Sequence, residues 1–297
     1  MTERSPDISI GIIARARIPE LDALAEQLLA LDGPEAREVV IGVETAGATE
    51  CSETTDERGV RWITLPPHRG LGYNRNRVLD AVRGDVLLCT DDDCVPKPDW
   101  IEALLGVLED PRVHAAVGGV EIPAAGFVGD AISALGFPAG GNIGFEAMFG
   151  VDPDGSTENI TTCNCAIRTS TLRELGGFDE SFTYGGEDTE LGHRLTTSGK
   201  RIIFSPKAKV VHPARRDLST FGRWFFVRGR AKAQYVRKVH GSSRLVSNRL
   251  ASYGRIMHAH ATDPEIVLIV PLIAASVVIQ WCGFVVEWFA PSPTPRG

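Results

Sequence analysis

Three consecutive carboxylates, Asp91-Asp92-Asp93, follow Thr90 at the end of an apolar run, Val86-Leu87-Leu88-Cys89. Such a run reads as a buried strand of a parallel sheet. A strand of that kind delivers its next residues to the open sheet edge, where ligands bind. Three negative charges held together repel one another unless a cation sits among them. An oxygen-rich set suits Mg²⁺ or Mn²⁺, usually shared with a substrate phosphate. An acidic surface turn is the plainer alternative, since Asp is common in turns.

Three further clusters carry residues of chemical interest. Gly185-Gly186-Glu187-Asp188-Thr189-Glu190 precedes Leu191, Arg194 and Leu195, which puts paired acids at a helix start. The helix dipole favours their charge there, so they serve equally as caps or as catalytic groups. His68-Arg69-Gly70-Leu71-Gly72 leads to Arg75-Asn76. Its glycines let backbone approach a ligand, and Arg75 offers a forked cation to a phosphate or an acidic neighbour. Gly176-Gly177-Phe178-Asp179-Glu180 reads as a turn, and His212 before Pro213 reads, in isolation, as a surface residue.

The elements that position these clusters alternate. Ile8 to Ala14, Val39 to Val43, Trp62 to Leu65 and Val86 to Cys89 read as strands, separated by helical patterns through Leu21–Leu31 and Leu79–Val82. This rhythm predicts an α/β fold with a doubly wound, mostly parallel sheet flanked by helices. A helix through Trp100 to Leu108 and a strand over Ala115 to Val120 continue it. Residues 122–162 are rich in Gly, Pro, Ala and Phe without periodicity and predict a long functional or mobile loop. Ile202 to Phe204 and Val210-Val211 read as two more strands.

The net charge of −7 conceals an asymmetry. From Val211 to His260 there are eleven Lys or Arg and one acid, Asp217, so that stretch is +10 and the rest −17. With Phe221, Trp224, Phe225 and Tyr235, such a stretch suits nucleic acid or an anionic membrane surface, or forms a solvated helix face. The six cysteines show no metal-finger spacing, and Cys163-Asn164-Cys165 is too tight for an ordinary disulfide. A reduced, cytoplasmic setting follows. Met1 to Asp7 shows no apolar leader core. Ile266 to Val286 carries no charge and is long enough to cross a bilayer, with Trp281 and Trp288 near its end, or to be a buried helix.

Taken in order, the clusters resemble family 2 glycosyltransferases, the inverting enzymes of the nucleotide-sugar-binding GT-A fold. The resemblance runs from Ile8 to Arg215. It rests on Arg75-Asn76, Thr90-Asp91-Asp92-Asp93, Asn164-Cys165-Ala166-Ile167-Arg168 leading to Gly176–Glu180, then Glu187-Asp188, Ser205-Pro206 and Val211-His212. It implies a GT-A domain over 1–215; the charge and apolar patterns add a basic, aromatic helical segment over 216–262 and a transmembrane or membrane-associated helix over 264–288. It implies Asp91, Asp93 and His212 as ligands of a divalent Mg²⁺ or Mn²⁺, and Asp188 as general base with Glu187 beside it. Asp91, Asp92, Arg75 and Glu44 are the implied donor-binding residues.

The expected partners are a nucleoside-diphosphate sugar, a UDP-sugar foremost, and a glycan or lipid-linked acceptor of polysaccharide synthesis. A cytoplasmic domain attached to the membrane by the C-terminal helix is expected, and no nucleic acid. The sequence departs from the family at two places. Ala14-Arg15-Ala16-Arg17 stands where a Thr/Asn loop is usual, and Glu44 is the acid nearest the end of the second strand. Nucleotidyl transfer to a sugar phosphate and non-catalytic sugar-nucleotide binding are the alternative readings.

Overall fold

Aliphatic runs buried on both faces build the centre of the molecule: no residue of β1 (Ile8–Ala14) or β5 (Val86–Thr90) is exposed. The computed structural model of the protein describes residues 8–34, 37–239 and 243–290, the side chains of 243–250 excepted. The remaining strands are β2 (Arg37–Glu44), β3 (Ser52–Thr55), β4 (Arg61–Leu65), β6 (Val95–Pro96), β7 (Val113–Glu121), β8 (Ser156–Thr157), β9 (Asn164–Arg168) and β10 (Arg201–Val211). They form one sheet in the order β3-β4-β2-β1-β5-β9-β7-β10-β6, with β8 also on β10.

The sheet consists of two parallel blocks joined by one reversed strand. β4, β2, β1 and β5 are parallel neighbours, as are β7 and β10, while β9 runs antiparallel to both β5 and β7. Apolar composition carries no strand direction, so this reversal was invisible in the sequence. Helices α1 (Pro19–Ala30) and α3 (Trp100–Leu108) cover one face through Leu21, Leu28, Trp100 and Leu104. The other face packs on α2 (Leu71–Ala81), α6 (Thr169–Glu174) and α7 (Glu187–Thr197) through Val78, Leu172 and Leu191. This is the mixed α/β sandwich that the alternating pattern predicts.

Three local differences from the sequence reading have physical reasons. Residues 122–162 hold α4 (Gly126–Ser133), a 3₁₀ turn (Gly141–Ile143), α5 (Phe145–Phe149) and β8, all too short for a helical or strand period to show. The two expected strands at 202–204 and 210–211 are one, β10, irregular between Ser205 and Lys209 where Pro206 supplies no N–H. The edge strand β3, Ser-Glu-Thr-Thr, is exposed throughout and has no apolar pattern to find.

A third core lies beside the sheet domain. It joins α4 to α8 (Leu218–Lys238), α9 (Ser243–Ala259) and α10 (Ile266–Phe289) through Leu135, Phe221, Phe225, Ile256, Ile269 and Leu272. Phe221, Phe225 and Tyr235 are buried, so these aromatics of the basic stretch are packing residues. Buried in this way, they offer no stacking platform at the surface. Along α10, Ser276, Gln280, Gly283 and Glu287 fall on one helical face, and all four are buried. Gly283 and Gly229 of α8 let the two backbones touch. A methyl group on either would strike the carbonyl oxygen of Phe226 or of Gln280.

Candidate active site

β5, β7 and β10 all end at the same sheet edge, and their next residues build the site. After Thr90 the chain makes a turn closed by Cys94 N donating to Asp91 O at 3.1 Å. That turn projects Asp91 and Asp93 from the edge. His212 leaves the end of β10, with its backbone N bound to Glu121 O of β7 at 3.0 Å. Ligand atoms of Asp91, Asp93, Cys94 and His212 lie within 4.8 Å of one another. The His212 ring explains its own fit. Nδ1 is 2.8 Å from Pro213 O, which can only accept, so Nδ1 carries the proton. Nε2 faces Asp93 Oδ1, 3.5 Å away, and when unprotonated offers its lone pair to a cation between them.

This donor set suits a divalent cation. Two carboxylates and a neutral imidazole match Mg²⁺ or Mn²⁺, and the Cys94 thiol is a weak fourth partner because burial pushes its pKa up. Burial also raises the Asp91 pKa; Arg75 opposes this, and the charge of Asp93 adds to it. Charges crowded in this way are relieved by a bound cation. Asp92 is not in the converging group. Its pKa is pushed up to about 6, first by burial and then by Asp93 and Asp91.

Across the edge, α7 begins at Glu187 and Asp188. Glu187 is 2% exposed, and Arg75 Nε of α2 donates to its Oε1 at 3.1 Å. The same guanidinium stands 3.6 Å from Asp91 Oδ1. Although burial opposes its charge, Glu187 and Asp91 keep Arg75 protonated. Arg75 therefore ties the two acidic clusters together, a structural engagement beyond the donor-binding role expected for it. The Glu187 pKa is raised by burial and then by its neighbour Asp188. Glu187 Oε2 and Thr90 Oγ1 are buried with no hydrogen-bond partner among the described residues, as befits groups facing a polar ligand. Asp188 is half-buried, takes Thr189 N at 2.7 Å, and lies close enough to Asp91 for its charge to raise the latter's pKa.

The supporting motifs hold this geometry from behind. Asn76 Nδ2 donates to Phe178 O at 2.8 Å and to Glu180 Oε1 at 2.9 Å, and Phe178 N returns to Asn76 Oδ1 at 2.8 Å. The Gly176–Glu180 turn is thus clamped to α2 and fixes the start of α7. Asn164, fully buried, accepts from Trp100 Nε1 at 2.8 Å and donates to Gly119 O at 2.8 Å and Ala208 O at 3.0 Å. Those bonds pin α3, β7 and β10 around β9. Glu44 ends β2 and accepts from Asn74 Nδ2 at 2.8 Å. In the first loop, Arg17 is engaged by Asp22 at 3.0 Å and lies 3.9 Å over Trp62.

One residue escaped the sequence reading. Arg215 follows His212 by three positions and stacks 4.5 Å from the Trp224 ring of α8. Burial pulls its pKa down while Asp93 and Asp91 oppose that. No carboxylate lies within ion-pair distance of it among the described residues. A half-buried guanidinium without an ion pair, facing the cation cluster, is placed to meet an anion there. Its sequence signal was its spacing from His212, hidden among ten other basic residues of that stretch.

Comparison with known proteins agrees with this geometry. The model of glycosyl transferase family 2 matches residues 9–176, and that of the N-terminal domain of galactosyltransferase matches 147–215. The chain belongs to glycosyl transferase family 2. It is 31% identical over 190 residues to the pre-mycofactocin glycosyltransferase of Mycobacterium tuberculosis, covering 61% of this chain and 38% of that protein. It is 27% identical over 232 residues to the O-antigen biosynthesis protein RfbC of Myxococcus xanthus, covering 70% and 17% respectively. The chain thus spans well under half the length of these curated relatives. Its fold matches the mannosyltransferase PcManGT from Pyrobaculum calidifontis, solved with GDP-Man and Mn²⁺, at TM-score 0.59 and 16% identity over 97% of this chain and 88% of that one.

Proposed function

We propose that the protein transfers a sugar from a nucleoside-diphosphate donor to a hydroxyl of a glycan or lipid-linked acceptor, with inversion. The observation that carries this is the opposition of two acidic clusters across one sheet edge, one built to hold a cation and the other, at Asp188, half-open. Asp91, Asp93 and His212 hold the divalent ion, which when bound supplies Lewis-acid stabilisation to the departing diphosphate. Arg215 faces the same diphosphate and neutralises part of its growing charge. Asp188 accepts the proton of the incoming hydroxyl. Arg75 holds Glu187 and Asp91 in register, and Glu187 lies beside the acceptor. With Glu187 engaged by Arg75, Asp188 is the carboxylate placed to act as base, which supports one displacement and hence inversion.

Glu44 and Asp92 are assigned to the donor's nucleoside half, and a UDP-sugar is the donor we favour. The sheet-edge position of Glu44 supports its part in this. The likeness to O-antigen and pre-mycofactocin proteins, together with the apolar C-terminal helix, supports an acceptor handled at the cytoplasmic membrane face. The test is a nucleotide-sugar panel read as nucleoside diphosphate released with Mn²⁺ and acceptor. Pyrophosphate in place of nucleoside diphosphate would mean nucleotidyl transfer and end this reading. Asp93→Ala should abolish metal-dependent donor binding in calorimetry, and donor affinity indifferent to both Mn²⁺ and this change would end the cation assignment.

A further inference from the structure

The C-terminal helix presents two opposite faces, and only one is accounted for by the fold. Its inner stripe, Ser276, Gln280, Gly283 and Glu287, is buried against α8. Glu287 accepts from Arg230 Nε at 2.9 Å and from Gln234 Nε2 at 2.9 Å. The outer stripe is Val267, Val270, Val277, Val278, Trp281, Val286, Trp288 and Phe289. Val267 is 66% exposed, Trp281 64% and Phe289 81%. No exposed residue of α10 carries a charge. Trp281, Phe284 and Trp288 stack in a ladder with centroids 5.6 and 5.4 Å apart.

From this arrangement we infer that α10 docks flat on an anionic membrane surface, with α8 beside it, and does not cross the bilayer. Alone, its 24 residues would span about 36 Å, enough for a hydrocarbon core of about 30 Å. It is not alone. α8 runs alongside it and carries Arg223, Arg228, Arg230, Lys232, Arg237 and Lys238. Crossing together would draw these six cations toward hydrocarbon, at about 2.5–3.5 kcal/mol each near the bilayer centre. Crossing apart would separate Glu287 from Arg230 and bare Ser276, Gln280 and Glu287 to lipid. Lying flat costs neither. The inner stripe stays buried, with Glu287 bonded to α8 and Ser276 beside Tyr253 of α9, and the outer stripe enters the interface, where Trp and Phe are favoured.

Charge selects lipid over a second copy of the chain. Arg223, Arg230 and Arg237 recur every seven residues and so form one row along α8. That row borders α10, since Arg230 pairs with Glu287 and Arg237 donates to the carbonyls of Glu287 and Trp288. Arg223 and Arg237 are exposed. A two-fold interface through the apolar stripe would bring this basic row toward its own copy, whereas anionic headgroups complement it. Docking also brings α4, which packs on α10, close to the membrane.

This inference stands on packing and not on the catalytic reading, and its test reads no activity. The purified chain should float with vesicles of phosphatidylcholine and phosphatidylglycerol, and less with phosphatidylcholine alone. Val278→Asp with Trp281→Asp should lower the bound fraction about tenfold or more while the circular dichroism melt is kept. In a bacterial host, a peptide tag after Gly297 should be cleaved by added protease in inverted membrane vesicles and not in spheroplasts. Cleavage in spheroplasts would show a crossing helix and overturn the inference. So would an intact chain that ignores anionic vesicles, or one that remains a soluble dimer through this stripe. If the double variant fails to fold, Arg223→Glu with Arg237→Glu provides the second arm. Flotation unchanged by it would overturn the charge-selected docking.

Discussion

The sheet edge and the helical platform are opposites in how they treat polar groups. At the edge, Asp91, Asp93, Glu187 and Asp188 are crowded together with Arg75, while Arg215 has no ion-pair partner among the described residues. On the platform, Glu287 is matched by Arg230 and Gln234, and its apolar side chains face outward. Unmatched charge is expensive inside a fold and persists where a ligand repays it. Exposed apolar surface is likewise retained where something apolar meets it. The two regions therefore mark two kinds of contact, one chemical and one adhesive.

If that contrast is right, changes at the edge should cost activity, changes to the buried stripe of the platform should cost stability, and changes to its outer face should cost membrane binding. The largest loss should follow Asp188→Asn, which should cut transfer about 10²- to 10⁴-fold while leaving donor affinity in calorimetry near wild type. Near-normal turnover in that variant would remove Asp188 from the base role. Arg215→Ala should cost about 10²-fold in kcat with an unchanged melting temperature, and Arg215→Lys should restore part of it. A fold defect with no kinetic defect would make Arg215 a packing residue only. On the platform, Glu287→Ala should lower stability by about 2–3 kcal/mol in urea unfolding, because Arg230 and Gln234 lose their acceptor. The smallest effect belongs to neither region. Burial would raise the Asp56 pKa, but bonds from Arg58, Trp62 and two backbone N–H groups outweigh it and hold it at about 2. Its contribution should be present above the ordinary carboxylate range and lost as pH falls toward about 2, so Asp56→Asn should flatten acid unfolding there.

Much of the edge was legible because its residues are consecutive. Asp91-Asp92-Asp93 after a buried strand and Glu187-Asp188 after two glycines announce themselves locally, and the α/β alternation follows from period and length. What could not be read depends on contacts far apart in sequence. Arg75 reaches Glu187 across more than a hundred residues, and Asn164 joins three elements through bonds that no local pattern encodes. The direction of β9 is likewise silent in its composition. The polar stripe of α10 is a different case. Ser276, Gln280 and Glu287 share one face at helical period, a pattern present in the sequence but masked there by the apolar length of the run.

The glycine contact between α8 and α10 has a mechanical consequence. Two helices separated by side chains can slide, because rotamers between them yield. Gly229 and Gly283 leave no such cushion, so backbone bears on backbone. α8 also carries Trp224, on which Arg215 rests. The helix that meets α10 backbone to backbone is thus the one that carries the ring under Arg215, so the platform and the sheet edge share a single element.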